Sequence, residues 1–324
     1  MKKRSAYLLV AALVAAITAL AAPVVAGAAT VVNGDFETGN LTGWQVVNNP
    51  AGEEESGSWY AYTGTDSPLP FGEPVPPPPA GNYAAVTSQG GPGSHILYQD
   101  VALEPYYAHQ LSLLAYYHSY ASTFTPSPNT LSFESTENQQ YRIDVMNPAA
   151  PVDSVNPSDI LATVFATKTG DPEEVGPSSL TVDLTPFAGQ TVRLRFAEVD
   201  TRGYFAAGID NVAIASTPPS NVIVLGKPLL NKKKGTAKLP VTVPGAGTLT
   251  ITDVKKTKKR IKAKALTATG AGVLNLPVKP TKRARKTLPD KGKLKLKVAV
   301  TFTPTGGFAA TATRKLTLKL VPKK

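Results

Sequence analysis

The chain has 324 residues, with 34 basic against 23 acidic side chains, three histidines, 29 prolines and no cysteine. That length exceeds one average domain and suits two. The lack of cysteine excludes disulfide scaffolds, thiol nucleophiles, Cys-ligated zinc and iron–sulfur centres.

Met1-Lys2-Lys3-Arg4-Ser5 precedes a largely apolar run from Ala6 to Ala22 and an Ala26-Gly27-Ala28-Ala29 exit. A basic start, an apolar middle and a small-residue exit predict a signal peptide over 1–29. The mature chain is then secreted or extracellular, in association with the cell envelope. A retained anchor is the alternative, because the run approaches the roughly 20 residues that cross a bilayer. Pro23 and the small residues after it favour cleavage, and no later stretch is long and apolar enough to span.

Charge then divides the chain. Residues 31–220 hold 21 acids and five basic residues, a net of −16, whereas 221–324 hold 26 basic residues and two acids, a net of +24. Every Trp and Tyr precedes residue 205, and the basic half has only Phe302 and Phe308 as aromatics. Such a shift predicts a domain boundary. The domains read as 31–215 and 221–324, joined by the proline-stiffened linker Ser216-Thr217-Pro218-Pro219-Ser220.

In the acidic half, Trp59 to Tyr62, Ile96 to Tyr98, Leu111 to Tyr117, Tyr141 to Val145, Leu161 to Phe165, Val192 to Phe196 and Ile209 to Ile214 are short runs between turn residues. Several alternate polar with apolar, and many short strands of period two predict a β-sandwich or jelly roll. Asn48 to Gly93 carries Pro76-Pro77-Pro78-Pro79 and few apolar runs, so it predicts a long surface excursion.

Two segments carry a resemblance. Asn33-Gly34-Asp35-Phe36-Glu37-Thr38-Gly39-Asn40-Leu41-Thr42-Gly43-Trp44 resembles the opening of galactose-binding-like jelly rolls of exported bacterial proteins, related in fold to carbohydrate-binding modules. Gly208-Ile209-Asp210-Asn211-Val212-Ala213-Ile214 is similar to their closing strand. The resemblance implies that first and last strands lie close together and hold a structural calcium. Glu37 and Asp210 would be its side-chain ligands, with Asp35 a third. Calcium takes six to eight hard oxygens. The alternative is that Glu37 and Asp210 only cap turns or accept backbone hydrogen bonds.

If Val192, Leu194 and Phe196 point inward, Arg193 and Arg195 point out, as do Arg142 and Asp144 on their own strand. These four residues, with Tyr116 as an aromatic platform, form the candidate carbohydrate face. The alternative is a solvated sheet face with cross-strand pairs above a core filled by Tyr and Trp. His95, His109 and His118 are dispersed, and His109 and His118, nine apart, would occupy opposite faces of one strand. No catalytic spacing stands out, so the chain reads as a non-enzyme.

The basic half alternates more plainly. Lys293 to Phe302 places apolar residues on even positions, and Leu239, Val241, Val243, Leu249, Ile251, Leu316, Leu318 and Leu320 continue the pattern. Five or more strands joined by Gly- and Pro-containing turns predict a smaller immunoglobulin-like sandwich. Gly235 to Val243 and Thr303 to Gly307 resemble basic immunoglobulin-like modules of actinobacterial exported proteins. Lys255 to Arg260 and Lys282 to Lys286 are expected on loops or strand ends. Such a surface attracts anionic envelope polymers. It also serves simply to solubilise the sandwich or to dock on the acidic half. With no Tyr or Trp, specific nucleic-acid reading is not expected.

The sequence thus predicts an all-β chain, a jelly-roll sandwich followed by an immunoglobulin-like one. The function it suggests is exported, non-catalytic binding of carbohydrate or cell envelope. A structural spacer without a ligand and a glycan-active hydrolase are the alternatives.

Overall fold

Alternation becomes sheet wherever one face can be buried. The computed structural model describes residues 29–48, 57–70, 72–88, 90, 92–121, 124–134, 137–255 and 257–321. The expected leader, apart from Ala29, lies outside them. The first ten strands are β1 (Gln45–Asn48), β2 (Ser58–Tyr62), β3 (Ala84–Ser88), β4 (Gly93–Ala102), β5 (Ala108–Ser119), β6 (Gln140–Met146), β7 (Ile160–Ala166), β8 (Glu174–Asp183), β9 (Thr191–Asp200) and β10 (Phe205–Thr217). They form two five-stranded antiparallel sheets, ordered β1-β4-β9-β6-β7 and β2-β3-β10-β5-β8.

Between these sheets lies one apolar core. Leu97, Tyr141, Ile143, Leu194 and Phe196 come from the first sheet, and Ala85, Leu113, Tyr117, Ala207 and Ile209 from the second. Trp44 stacks on Phe36 at 5.6 Å and meets Phe196 edge-on, so it belongs to this core as aromatic filling. Backbone closure needs small residues at two places. A Cβ on Gly34 would lie 2.0 Å from the Val212 carbonyl oxygen, and one on Gly208 would enter the Tyr116 ring.

Part of each outer face is covered as well. On the first sheet Ile96, Ala197 and Val199 pack under Leu131, with Phe133, Val152 and Val155 alongside. On the second sheet Ala84, Val86, Tyr116 and Ala206 pack under Val75 beside Tyr62. The proline-rich stretch is therefore more than a surface excursion. It straps the second sheet, and β3 within the same stretch is a fully buried strand.

The remaining elements are β11 (Val224–Leu225), β12 (Leu229–Asn231), β13 (Thr236–Val243), β14 (Gly247–Asp253), β15 (Lys264–Ala268), β16 (Gly272–Val278), α1 (Lys282–Lys291), β17 (Lys293–Pro304) and β18 (Ala310–Lys319). Strand β13 pairs β11, β12 and β16, and the other sheet runs β15-β14-β17-β18. Leu239, Val241, Leu249, Leu276, Val298, Val300, Phe302 and Leu318 fill the space between them. The architecture is all-β. Among the described residues no helix is long and apolar enough to cross a membrane.

Lys282 to Lys286, expected on a loop or strand end, instead open α1. Thr281 caps it, accepting a hydrogen bond from Ala284 N, and Gly292 ends it in the left-handed region at φ 62°. Ala284 and Leu288, four apart, anchor the helix by burial.

Candidate functional site

Four places in the fold gather chemistry-bearing side chains. The first joins the opening loop to β10. Glu37 Oε1 accepts hydrogen bonds from Asn82 N (2.8 Å) and Tyr83 N (3.0 Å). These amides, Tyr83 first, hold the exposed Glu37 carboxyl below its usual range. Asp210 is buried, and its oxygens accept from Ala80 N (3.1 Å) and Asn211 N (2.6 Å). Burial pushes its carboxyl up to about 6, the amides oppose this, and the Glu37 and Asp35 charges add to it. Asp35 accepts from Glu37 N at 3.4 Å. The three predicted carboxylates therefore share one locality and act on one another. Their charge and hard oxygens suit calcium, but Glu37 and Asp210 are engaged with backbone amides. No group of three or more His, Asp or Glu stands in metal-binding geometry among the described residues. Beside the cluster, Val31, Asn33, Asp35, Ser112 and Asn211 border an open groove of about 520 Å³.

The second place corrects the candidate carbohydrate face. Arg142, Asp144, Arg193 and Arg195 do share the outer side of the first sheet, yet Arg195 is 0 % and Asp144 1 % exposed. Segment 147–159 lies over them. Arg195 donates to Val152 O (2.8 Å), Ser154 O (2.6 Å) and Asp144 Oδ2 (2.6 Å). Arg142 donates to both Asp144 oxygens at 2.7 and 2.9 Å. Arg193 holds both Asp100 oxygens, at 2.7 and 3.0 Å, and the Pro148 and Ala150 carbonyls. It also stacks over Tyr98 at 4.5 Å. Burial alone would raise the Asp144 carboxyl, but hydrogen bonds and charge from the two arginines outweigh it and hold it low. These residues are a desolvated latch that fastens a loop, because guanidinium forks match carboxylates and carbonyls.

Tyr116, the predicted platform, is likewise covered. Its hydroxyl meets that of Tyr62 at 2.5 Å, and Tyr62 donates to Pro76 O. Tyr120, 41 % exposed, donates to Pro74 O at 3.2 Å. The aromatic side of the second sheet is thus occupied by the chain's own Pro74–Ala80 segment.

Sequence reasoning passed over the third place, at the opposite end of the sandwich. Glu198 and Asp200 are fully buried on β9. Both Glu198 oxygens and Asp200 Oδ2 lack a hydrogen-bond partner among the described residues. Burial, then the Asp200 charge, pushes Glu198 well above the usual carboxylate range, and burial takes Asp200 up to about 7. Strict alternation after Phe196 was the available signal, since it places Glu198 on the core side. His95 pairs across the strands with Glu198. His109 shares the inner face with Leu111 and bonds Glu104 O at 2.8 Å, while His118 stacks on Tyr120.

The fourth place is the cationic surface around α1. Lys234, Lys262, Lys279, Lys282 and Arg285 line a cleft of about 110 Å³. Lys255, Lys258, Lys259 and Arg283 contribute to a second of about 220 Å³. Asp253 is bound by Arg260, from Nε at 3.1 Å, and is the one acid of this half found in an ion pair among the described residues. Burial would raise the Asp253 carboxyl, but that guanidinium and the Arg260 and Lys255 amides outweigh it and hold it low.

No protein-family model and no curated protein matches the chain. Among solved structures, the carbohydrate-binding module TmCBM61 in complex with beta-1,4-galactotriose is 11 % identical, covering 58 % of this chain and 99 % of its own, with a TM-score of 0.34. The K3 cleaved adhesin domain of Lys-gingipain from Porphyromonas gingivalis W83 is 14 % identical over 57 % of this chain and 98 % of its own, at a TM-score of 0.36. The tandem CBM22 domain of Paenibacillus barcinonensis Xyn10C is 10 % identical over 93 % of this chain and 92 % of its own, at 0.34. At such scores these likenesses assign no role to any residue here.

Proposed function

We propose that the chain is an exported, non-catalytic binding protein that adheres to an anionic polysaccharide or related polymer of the cell envelope. The basic half is its adhesive surface. One observation carries this reading: residues 221–324 hold 26 basic residues against two acids, and Asp253 is already committed to Arg260. A cationic field with so little internal counter-charge draws polyanions at low ionic strength and loses them as salt screens it. A sugar on the predicted sheet face is disfavoured, since segment 147–159 covers the arginines and Asp144 and segment 74–80 covers Tyr116. A calcium ion held by Glu37, Asp210 and Asp35 belongs to the same proposal. It would supply a cross-link between the opening loop and β10.

Affinity electrophoresis of the full chain through anionic and neutral polysaccharides tests the adhesive reading. Retardation by the anionic polymer at low salt, lost at high salt, is the expected result. Salt-resistant retardation by a neutral glycan would instead favour sugar recognition by the acidic half, and no retardation would favour a spacer. For calcium, added ion should raise the unfolding midpoint of the chelator-treated chain, and Asp210→Asn should abolish the rise. An unchanged midpoint overturns the ion.

A further inference from the structure

Helix α1 separates two clefts, and among the described residues neither is lined by an acid, although Arg260 of the second is bound by Asp253 behind it. Their cations are brought together by the backbone. Lys262 N donates to Lys279 O at 2.9 Å, and Ile261 bridges Pro280, so Lys262 and Lys279 come from adjacent antiparallel segments. Lys282 and Arg285, three apart on α1, share the flank that faces the same hollow. Arg283 and Thr287, four apart, turn to the other hollow. Burial of Ala284 and Leu288 fixes which flank is which.

Five cations around about 110 Å³ repel one another, and the fold supplies no acid among them. The lysines of β17 are arranged differently. Lys293, Lys295 and Lys297 stand exposed at every second position of a strand, roughly 7 Å apart, as solubilising charges do. The cleft cations converge where those diverge.

We infer that the two clefts are paired subsites for successive anionic groups of a phosphodiester-linked polymer. This rests on the adhesive reading and gives it a location and a ligand chemistry. Lysine outnumbers arginine in both clefts, and ammonium groups bind phosphate as point charges, whereas carboxylates favour the arginine fork. No aromatic ring lines either cleft, so a nucleobase finds no stacking platform. The helix is about 10 Å across, and a polymer strand laid over it reaches both hollows.

The test compares double charge reversals in the full chain. Lys262→Glu with Lys279→Glu alters the first cleft, and Lys258→Glu with Arg283→Glu the second. Lys295→Glu with Lys297→Glu changes net charge equally on the open face of β17. The probes are an abasic deoxyribose-phosphate oligomer, single-stranded DNA of the same length, and polygalacturonate of matched charge. Each cleft pair should weaken binding of the abasic oligomer about tenfold and flatten its log–log salt dependence by roughly one to two. The β17 pair should cost less than about threefold. Equal losses from all three pairs overturn the clefts and leave the adhesive reading standing. Failure of the unaltered chain to bind any probe overturns both. DNA binding more tightly than the abasic oligomer, or polygalacturonate matching it, overturns the assigned chemistry. Unchanged thermal melting shows that a variant is folded, and the two cleft pairs test the inference independently.

Discussion

Glu198 is one of three carboxyls that burial raises. It is sealed between the sheets without a partner among the described residues, and Asp200 two residues on is raised to about 7, Asp210 to about 6. Each folded-state value lies above that of the unfolded chain. The stability these groups contribute is therefore present below the unfolded carboxylate range and is lost as pH rises through the folded values. The unfolding free energy from urea titration should fall between about pH 4 and pH 7, by at most about 1.4 kcal/mol per pH unit per group. Glu198→Gln, neutral and nearly isosteric, should reduce the loss on the alkaline side, and an unchanged slope refutes the assignment. Asp144 works with the opposite sign. Its carboxyl is held low, so its contribution disappears as pH falls through that range. Asp144→Asn leaves buried Arg142 and Arg195 without their bound carboxylate and should cost about 3–5 kcal/mol by urea unfolding. The carboxylate locality of Glu37, Asp35 and Asp210 was legible from the resemblance of the two chain segments. The burial of Arg195 was not, because the loop that covers it is some 40 residues away.

Among elements, legibility followed whether polar and apolar residues alternate. Strands β13 and β17 bury one face and turn polar residues outward, and β9, although buried on both faces, alternates apolar residues with arginine, so their period shows. Strand β3 is buried on both faces and built from small residues, and it has no period to read. Helix α1 hides for another reason. Only Ala284 and Leu288 face inward, too few for a visible amphipathic pattern, although the Thr281 cap and Gly292 stop were present as signals. Its first turn carries Lys282 and Arg283 and no acid, the unfavourable arrangement against the helix dipole. Lys282→Glu should therefore stabilise the chain by about 0.5 kcal/mol in thermal or urea unfolding, while weakening polyanion retention. Loss of stability instead would show that Lys282 makes a structural contact.

At the level of the molecule, two β-sandwiches of opposite charge divide the chemistry. The acidic one spends its polar residues on itself: arginine latches on one outer face, tyrosine-held prolines on the other, buried carboxyls between. The basic one pairs Arg260 with Asp253 and shows no other ion pair among its described residues. That contrast, more than any motif, is the ground for assigning the proposed adhesive surface to residues 221–324.

The covering segments also decide where foreign sequence is accepted. A stretch such as 147–159 has the composition of a variable loop, yet Arg193 and Arg195 grip its carbonyls, so a peptide tag spliced there must displace a buried guanidinium. The Gly270-Ala271-Gly272 turn is the converse case. A Cβ at Gly270 or Gly272 would meet nothing within 4 Å. An eight-residue epitope inserted after Gly270 should leave the melting transition within a few degrees of the parent, whereas the same insert after Ala150 should abolish soluble expression.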